Sequence, residues 1–120
     1  MSNTINLALI GTGHWGGDLA RVFHELGILK TICESSEGIR QRKAVKYPGI
    51  ETTSSLSEIL ASPDINAVAI ATPADQHYSM AKKSLLADKH VFVEKPLSLT
   101  VKEGEELVEL AKQRRKVLFV

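Results

Sequence analysis

Short apolar runs alternate with segments whose apolar residues recur every third or fourth position along the whole 120-residue chain. Ile5, Leu7, Ala8, Leu9 and Ile10 form a nearly continuous apolar run, as expected of a parallel strand buried on both faces. Trp15, Leu19, Val22, Phe23 and Leu26 then fall at spacings of three and four, one stripe of a helix, and Gly27 stands where a left-handed C-cap would end it. A second apolar run, 28–33, finishes at Glu34. Residues 36–46 read as a polar helix with few apolar positions (Ile39, Ala44, Val45), ended by Pro48 and Gly49, and 50–52 as a short edge strand.

The second half repeats the alternation. Ser55 and Glu58 have capping-box spacing, and Leu56, Ile59 and Leu60 supply one face of a short helix that Pro63 stops. A strand over 65–72, a polar loop, a helix over 75–87 and a strand over 90–94 follow. Thr100 and Glu103 form a second capping box, opening a helix expected to turn Val101, Leu107, Val108 and Ala111 inward, and 117–120 is a last strand. Alternating strands and helices at such short spacing demand an α/β fold with right-handed crossovers and helices on both faces of the sheet. The expectation is a doubly wound Rossmann fold: a mostly parallel six-stranded sheet in the order 3-2-1-4-5-6, its ligand crevice at the carboxyl ends of strands 1 and 4.

Chemistry concentrates first at the end of the opening strand. Gly11, Gly13 and Gly16 stand in G-x-G-x-x-G spacing between strand and helix. In a dinucleotide site Gly11 allows the tight turn, Gly13 lets the backbone approach a pyrophosphate, and Gly16 lets helix and strand pack closely. The N–H groups of the first helical turn, with those of Thr12, His14 and Trp15, would face the phosphates, aided by the helix dipole. Glu34 lies 18 residues beyond Gly16, near the offset of a ribose-binding carboxylate. A tight turn with no ligand is the bland alternative for the glycines, and core packing is the alternative for the Trp15 side chain. Strand, helix, second strand and terminal acid together favour dinucleotide binding.

Composition narrows the class without redirecting it. The chain is 43% apolar and 24% charged, ordinary for a globular domain, and its formal net charge of +1 points to neither nucleic acid nor a membrane surface. Lys112, Arg114, Arg115 and Lys116 cluster at a predicted helix C-terminus, where cations complement the dipole. One cysteine, Cys33, excludes an internal disulfide and suits a reducing cytoplasm; within a predicted buried strand it reads as small apolar filler rather than a nucleophile. No basic, apolar leader precedes the first strand, and no apolar run approaches membrane-spanning length.

Two further segments fall at carboxyl ends of strands: Ala71-Thr72-Pro73-Ala74-Asp75-Gln76-His77 and Val93-Glu94-Lys95-Pro96. With the glycine motif and the acid after the second strand, in that order, they resemble the N-terminal domain of the Gfo/Idh/MocA oxidoreductases over essentially the whole chain. The stretch from His14 to Ser35 is also similar, more weakly, to members that oxidise nucleotide-sugars. The resemblance implies a nicotinamide cofactor and hydride transfer involving a hydroxyl of a sugar, nucleotide-sugar or cyclitol. A carboxylate at Glu34 would accept from both ribose hydroxyls and repel a 2′-phosphate, which favours NAD over NADP, although the flanking Ser35, Ser36 and Arg40 could accommodate a phosphate. It places Lys95 beside the nicotinamide and the reacting hydroxyl, where an ammonium stabilises developing alkoxide character and passes on a proton. It places Thr72 and Pro73 along the nicotinamide ribose and pyrophosphate, Glu94 on the cofactor side, and His77 within reach of the cofactor. Each has a plainer alternative: a solvated loop lysine for Lys95, a strand-end acid pairing with Lys95 for Glu94, a structural histidine for His77. Pro96 would help fix the lysine's direction, and a cis Lys95–Pro96 bond is open to it although most X–Pro bonds are trans. Ala74 departs from the asparagine common at that place, so any side-chain contact there is lost.

The resemblance further implies that residues 1–120 are a cofactor-binding domain alone. The substrate domain would lie outside this chain, which by itself would be nearly inert because hydride transfer needs an oriented substrate. A homo-oligomer is implied for the longer protein. A non-catalytic NAD(H)-binding regulatory module is the competing reading, and Lys95 discriminates, since a sensor does not require a lysine at the nicotinamide. An adenosyl site of methyltransferase type shares the glycine loop and acid, but the two later loops argue against it.

Overall fold

The computed structural model describes residues 4–12 and 16–120. The elements run β1 (Leu7–Ile10), α1 (Gly16–Glu25), β2 (Leu29–Cys33), α2 (Glu37–Lys46), β3 (Glu51–Thr53), α3 (Leu56–Ala61), β4 (Ala67–Ile70), α4 (His77–Leu86), β5 (His90–Val93), α5 (Val101–Arg114) and β6 (Leu118–Phe119). A 3₁₀ turn, Ala74–Gln76, leads into α4, so the helix expected from residue 75 begins regular geometry two residues later. The six strands form one sheet in the order β3-β2-β1-β4-β5-β6. Every strand pair is parallel, as the doubly wound expectation requires.

The period-two geometry of β1 explains the two-layered core. Successive side chains of a strand point to opposite faces. Accordingly, Ala8 and Ile10 join a cluster with Val68, Ile70, Ala81, Leu85, Leu107 and Ala111, where α3, α4 and α5 cover the sheet. Leu7 and Leu9 join the opposite cluster with Ala20, Tyr47, Ala67 and Ala69, where α1 and the end of α2 cover it. On this second face β4 presents Ala67 and Ala69, with Ala71 just beyond its end, and α1 presents Ala20, fully buried. Small residues on both sides bring the glycine-initiated helix close to the strands that bear the crevice.

Local signals end the helices where the sequence placed them. Gly27 has φ +75°, Gly27 N–H donates to His24 O at 3.0 Å and Ile28 N–H to Phe23 O at 3.1 Å, a Schellman closure of α1. Ser55 Oγ accepts from Glu58 N–H at 3.3 Å, and Thr100 Oγ1 from Glu103 N–H at 3.1 Å. The return arm of the first box is relayed: Ser55 N–H donates to Thr53 Oγ1 at 3.1 Å, whose hydroxyl donates to Glu58 Oε2 at 2.8 Å.

Two helix faces differ from expectation. In α5, Leu107 and Ala111 are buried, but Val101 is 77% and Val108 44% exposed. Each residue turns a helix by about 100°, so Val108 sits one such step from Leu107, and Val101 lies about 120° away from it. The inner face instead includes Gly104, where an added Cβ would come within 3.1 Å of Ser98 Oγ. In α1 the inner face is Leu19, Ala20 and Phe23, whereas Leu26 is 65% exposed and Val22 is also exposed. Trp15, with Gly13 and His14, lies outside the described residues. Leu107→Ala should lower unfolding free energy by about 2–5 kcal/mol, while Val101→Ala stays within about 0.5 kcal/mol. Urea denaturation of the two variants checks this, and equal losses would contradict the burial.

Candidate functional site

The parallel ladder continues past the ends of the strands, and this brings four loops together. Gly11 N–H donates to Cys33 O at 2.8 Å, Ala71 N–H to Ile10 O at 2.8 Å, Glu94 N–H to Ile70 O at 2.9 Å and Glu34 N–H to Thr53 O at 2.9 Å. At this carboxyl edge lies a cleft of about 660 Å³. Gly11, Thr12, Glu34, Thr72, Pro73, His77, Glu94 and Lys95 all line it, so these sequence-predicted residues converge. Gly16 opens α1. The size of the cleft is within the range of small-molecule and cofactor sites.

Gly11 is held in a conformation that side chains rarely adopt, φ +82°. A Cβ there would stand 2.8 Å from Thr72 Cγ2 and 3.0 Å from the Ala71 carbonyl oxygen. The first glycine is therefore imposed by the approach of the loop after β4. Thr72 is itself braced, its hydroxyl donating to Met80 Sδ of α4 at 3.4 Å.

Glu34 clamps the glycine loop from the other side. Its Oε2 accepts from Thr12 N–H at 3.1 Å and from the Thr12 hydroxyl at 2.8 Å. Its Oε1 accepts from Ser36 N–H at 3.3 Å and from the Ser35 hydroxyl at 3.4 Å. Partial burial alone pushes this carboxyl up, but the Thr12, Ser36 and Ser35 hydrogen bonds together outweigh it and hold the group below the usual value. Arg40 is committed nearby: Nη1 donates to the Glu34 carbonyl at 2.7 Å and the Ser35 carbonyl at 2.9 Å.

At the other end, Glu94 is half-buried and Lys95 exposed. Neither takes part in the ion pairs among the described residues, so the Glu94–Lys95 pairing weighed from sequence is not formed. The Lys95–Pro96 peptide is cis. His77 is 1% exposed, with Nδ1 2.6 Å from Pro96 O and Nε2 2.7 Å from Thr72 O. Both ring nitrogens thereby face protein carbonyls, the structural role weighed for this histidine, and the residue also lines the cleft.

Sequence reasoning missed the rest of the lining. Cys33 is buried core filler as expected, yet it also borders the cleft beside Ser54, Leu56 and Met80. The one available signal was position: Cys33 ends β2 and Ser54 follows β3, both at the carboxyl edge. Burial, then the neighbouring Glu34, push the Cys33 thiol up, so it is no activated nucleophile. Among the described residues no His, Cys, Asp and Glu cluster suits a metal, and no helix is long and apolar enough to cross a membrane.

Comparisons with known proteins agree with this geometry. Residues 5–120 match a family described as an oxidoreductase family with an NAD-binding Rossmann fold. An uncharacterized oxidoreductase of Synechocystis is 52% identical over 117 residues, covering 94% of this chain and 31% of that protein. The chain thus spans about a third of that curated relative. The crystal structure of Synechocystis biliverdin reductase with biliverdin and NADP+ superposes with a TM-score of 0.90 at 31% identity, covering 98% of this chain and 38% of that one. The WlbA dehydrogenase of Chromobacterium violaceum, with NADH and UDP-GlcNAcA, gives 0.89 at 25% identity, covering 100% and 35%.

The Glu34 geometry carries a pH signature. A carboxyl held below 4.5 in the folded state stabilises the fold fully above that value and loses its contribution as pH falls through the lowered one. The difference in melting temperature between the wild-type chain and Glu34→Gln should therefore be constant from neutrality to about pH 4.5 and shrink below it. A difference that stays flat into stronger acid would contradict the clamp.

Proposed function

This chain belongs to the Gfo/Idh/MocA family of NAD(P)-binding oxidoreductases, and on that footing we propose that it is the cofactor-binding domain of a dehydrogenase acting on a hydroxyl of a sugar, nucleotide-sugar or cyclitol. The observation that carries the reading is the single cleft running from Glu34 past Gly11 and Thr72 to Lys95 along the carboxyl edge. The residues fit a dinucleotide. Gly11 and Thr12 border the cleft where the first strand ends, and a carboxylate after β2 and a lysine after β5 mark its opposite ends.

In this reading Glu34 receives the adenosine ribose, Gly11 and Thr12 with Gly13, His14, Trp15 and Gly16 line the pyrophosphate, and Thr72, Pro73 and Glu94 line the nicotinamide end. When bound, the nicotinamide supplies the hydride acceptor or donor. Lys95 is the candidate catalytic residue: an exposed ammonium at the open end of the cleft can donate a hydrogen bond to a substrate oxygen and hold a proton there as charge develops. The substrate pocket and a homo-oligomeric assembly belong to the longer protein proposed to contain this domain.

NAD is preferred over NADP on the same reading. Glu34 would repel a 2′-phosphate, and Arg40, the cation nearby, already donates to two backbone carbonyls. Both cofactors occur among the similar structures, so the preference rests on Glu34 and Arg40. Calorimetric titration should give tighter binding of NADH than NADPH, with Glu34→Ser moving the balance towards NADPH. Tighter NADPH binding by the unaltered chain would overturn the preference. Gly13→Val should abolish NADH binding, and unchanged affinity would overturn the cofactor site itself.

Lys95→Ala, made in a protein carrying this domain with its substrate-binding part, should leave NADH affinity nearly unchanged. Turnover should fall by about 10²–10⁴-fold, the range for losing a positioned acid–base group. Normal turnover would leave the non-catalytic NAD(H)-binding regulatory module as the better reading.

A further inference from the structure

The ladder between β4 and β5 makes its last backbone bond at Glu94 N–H to Ile70 O, 2.9 Å. Beyond it, among the described residues, no backbone hydrogen bond joins the loop holding Thr72 to the loop holding Lys95 and Pro96. One side chain makes that connection. His77, the first residue of α4, has a backbone carbonyl at each ring nitrogen: Pro96 O 2.6 Å from Nδ1 and Thr72 O 2.7 Å from Nε2. The ring is 1% exposed, so water does not substitute for either partner. A carbonyl only accepts; the neutral ring has one N–H and satisfies one of the two, and the doubly protonated ring satisfies both.

We propose that His77 is a positioning residue: its ring ties the Thr72 carbonyl to the Pro96 carbonyl and thereby fixes the Lys95 loop at the nicotinamide end of the cleft, without touching the cofactor. The inference rests on the cofactor reading above and deepens it. Its consequence is local. Losing the tie frees the end of the cleft formed by the loops after β4 and β5, while the Glu34–Thr12 clamp at the other end keeps its own bonds. A ligand that reaches the Thr72, Pro73 and Glu94 stretch at that end should feel the loss, and one that stops short of it should not.

NADH and ADP-ribose, which lacks the nicotinamide, make that comparison on the 120-residue chain. His77→Phe keeps an aromatic ring of similar size and removes both nitrogens. It should weaken NADH binding by about tenfold or more, the worth of one or more lost hydrogen bonds, and change ADP-ribose binding by less than about twofold. His77→Gln, with one amide able to reach one carbonyl, should recover part of the NADH affinity. Equal losses for both ligands, or no loss for either, would overturn the proposal. A wild-type chain that binds neither ligand would overturn the cofactor reading instead. If thermal melting shows His77→Phe unfolded, His77→Gln carries the comparison. The unaltered chain also supplies a test: in ¹⁵N-histidine spectra a His77 ring proton should exchange with solvent far more slowly than that of exposed His24, and equally fast exchange would overturn the tie.

Discussion

The parallel ladder at the carboxyl edge is the constraint on which the site depends. Where parallel strands end, the last N–H and C=O groups still need partners on the neighbouring strands when partly buried. Here Gly11, Glu34, Ala71 and Glu94 each spend an N–H on the neighbouring strand's last carbonyls. The same bonds that complete the sheet thus fix where four loops leave it. The loops after β1 and β4 then meet so closely that only glycine fits at position 11. Sheet completion and cleft formation are one event, and the residues with usable chemistry hang from its rim.

The two core layers share out the burden differently. On the face covered by α4 and α5 the strands supply branched residues, Val68, Ile70, Val91 and Val93, and the helices supply Leu85 and Leu107. On the face covered by α1, the middle strand supplies alanines. Large side chains would stabilise that face more by area, since each buried Leu or Ile contributes about 1.5–3 kcal/mol. They would also push α1 away from β1 and β4. The small residues keep the start of α1 near the glycine loop, so packing volume is given up where backbone proximity is needed for the cleft.

The strands were legible because burial on both faces leaves few ways to write β1, β2, β4 and β5 other than as apolar runs, and the caps were legible because Ser55, Thr100 and Gly27 act within their own turn. The helix faces were less so. Val101 and Val108 are apolar but sit off the inner stripe of α5, and a regular spacing of apolar residues does not say which of two overlapping stripes meets the sheet. In α1 the fully buried contact is Ala20, beside the expected Leu19 and Phe23, and its small side chain hardly registers in an apolar pattern. Of the residues lining the cleft, Gly11 and Glu34 were readable from motif position and Lys95 from the family resemblance. The engagement of His77 was not, because its partners are carbonyls 5 residues before it and 19 after it, and backbone acceptors leave no trace in sequence.

Glu34 shows why a site residue here resists division into structural and ligand-binding parts. An ionised carboxylate offers about four acceptor positions. Thr12 N–H and hydroxyl, Ser36 N–H and Ser35 hydroxyl already address them, two to each oxygen. On the proposed reading a ribose diol must enter by exchange. The backbone donors of Thr12 and Ser36 are fixed by the loops, whereas the Thr12 and Ser35 hydroxyls can rotate away. Two hydroxyls of the protein would then give place to two of the sugar, with nearly the same hydrogen bonds on both sides of the exchange. A 2′-phosphate offers no donor for that exchange and adds negative charge beside an acid held in its ionised form. On that reading, discrimination at this end would follow from the carboxylate's existing commitments as much as from its charge, and the clamp that shapes the glycine loop would be the same group that chooses the cofactor.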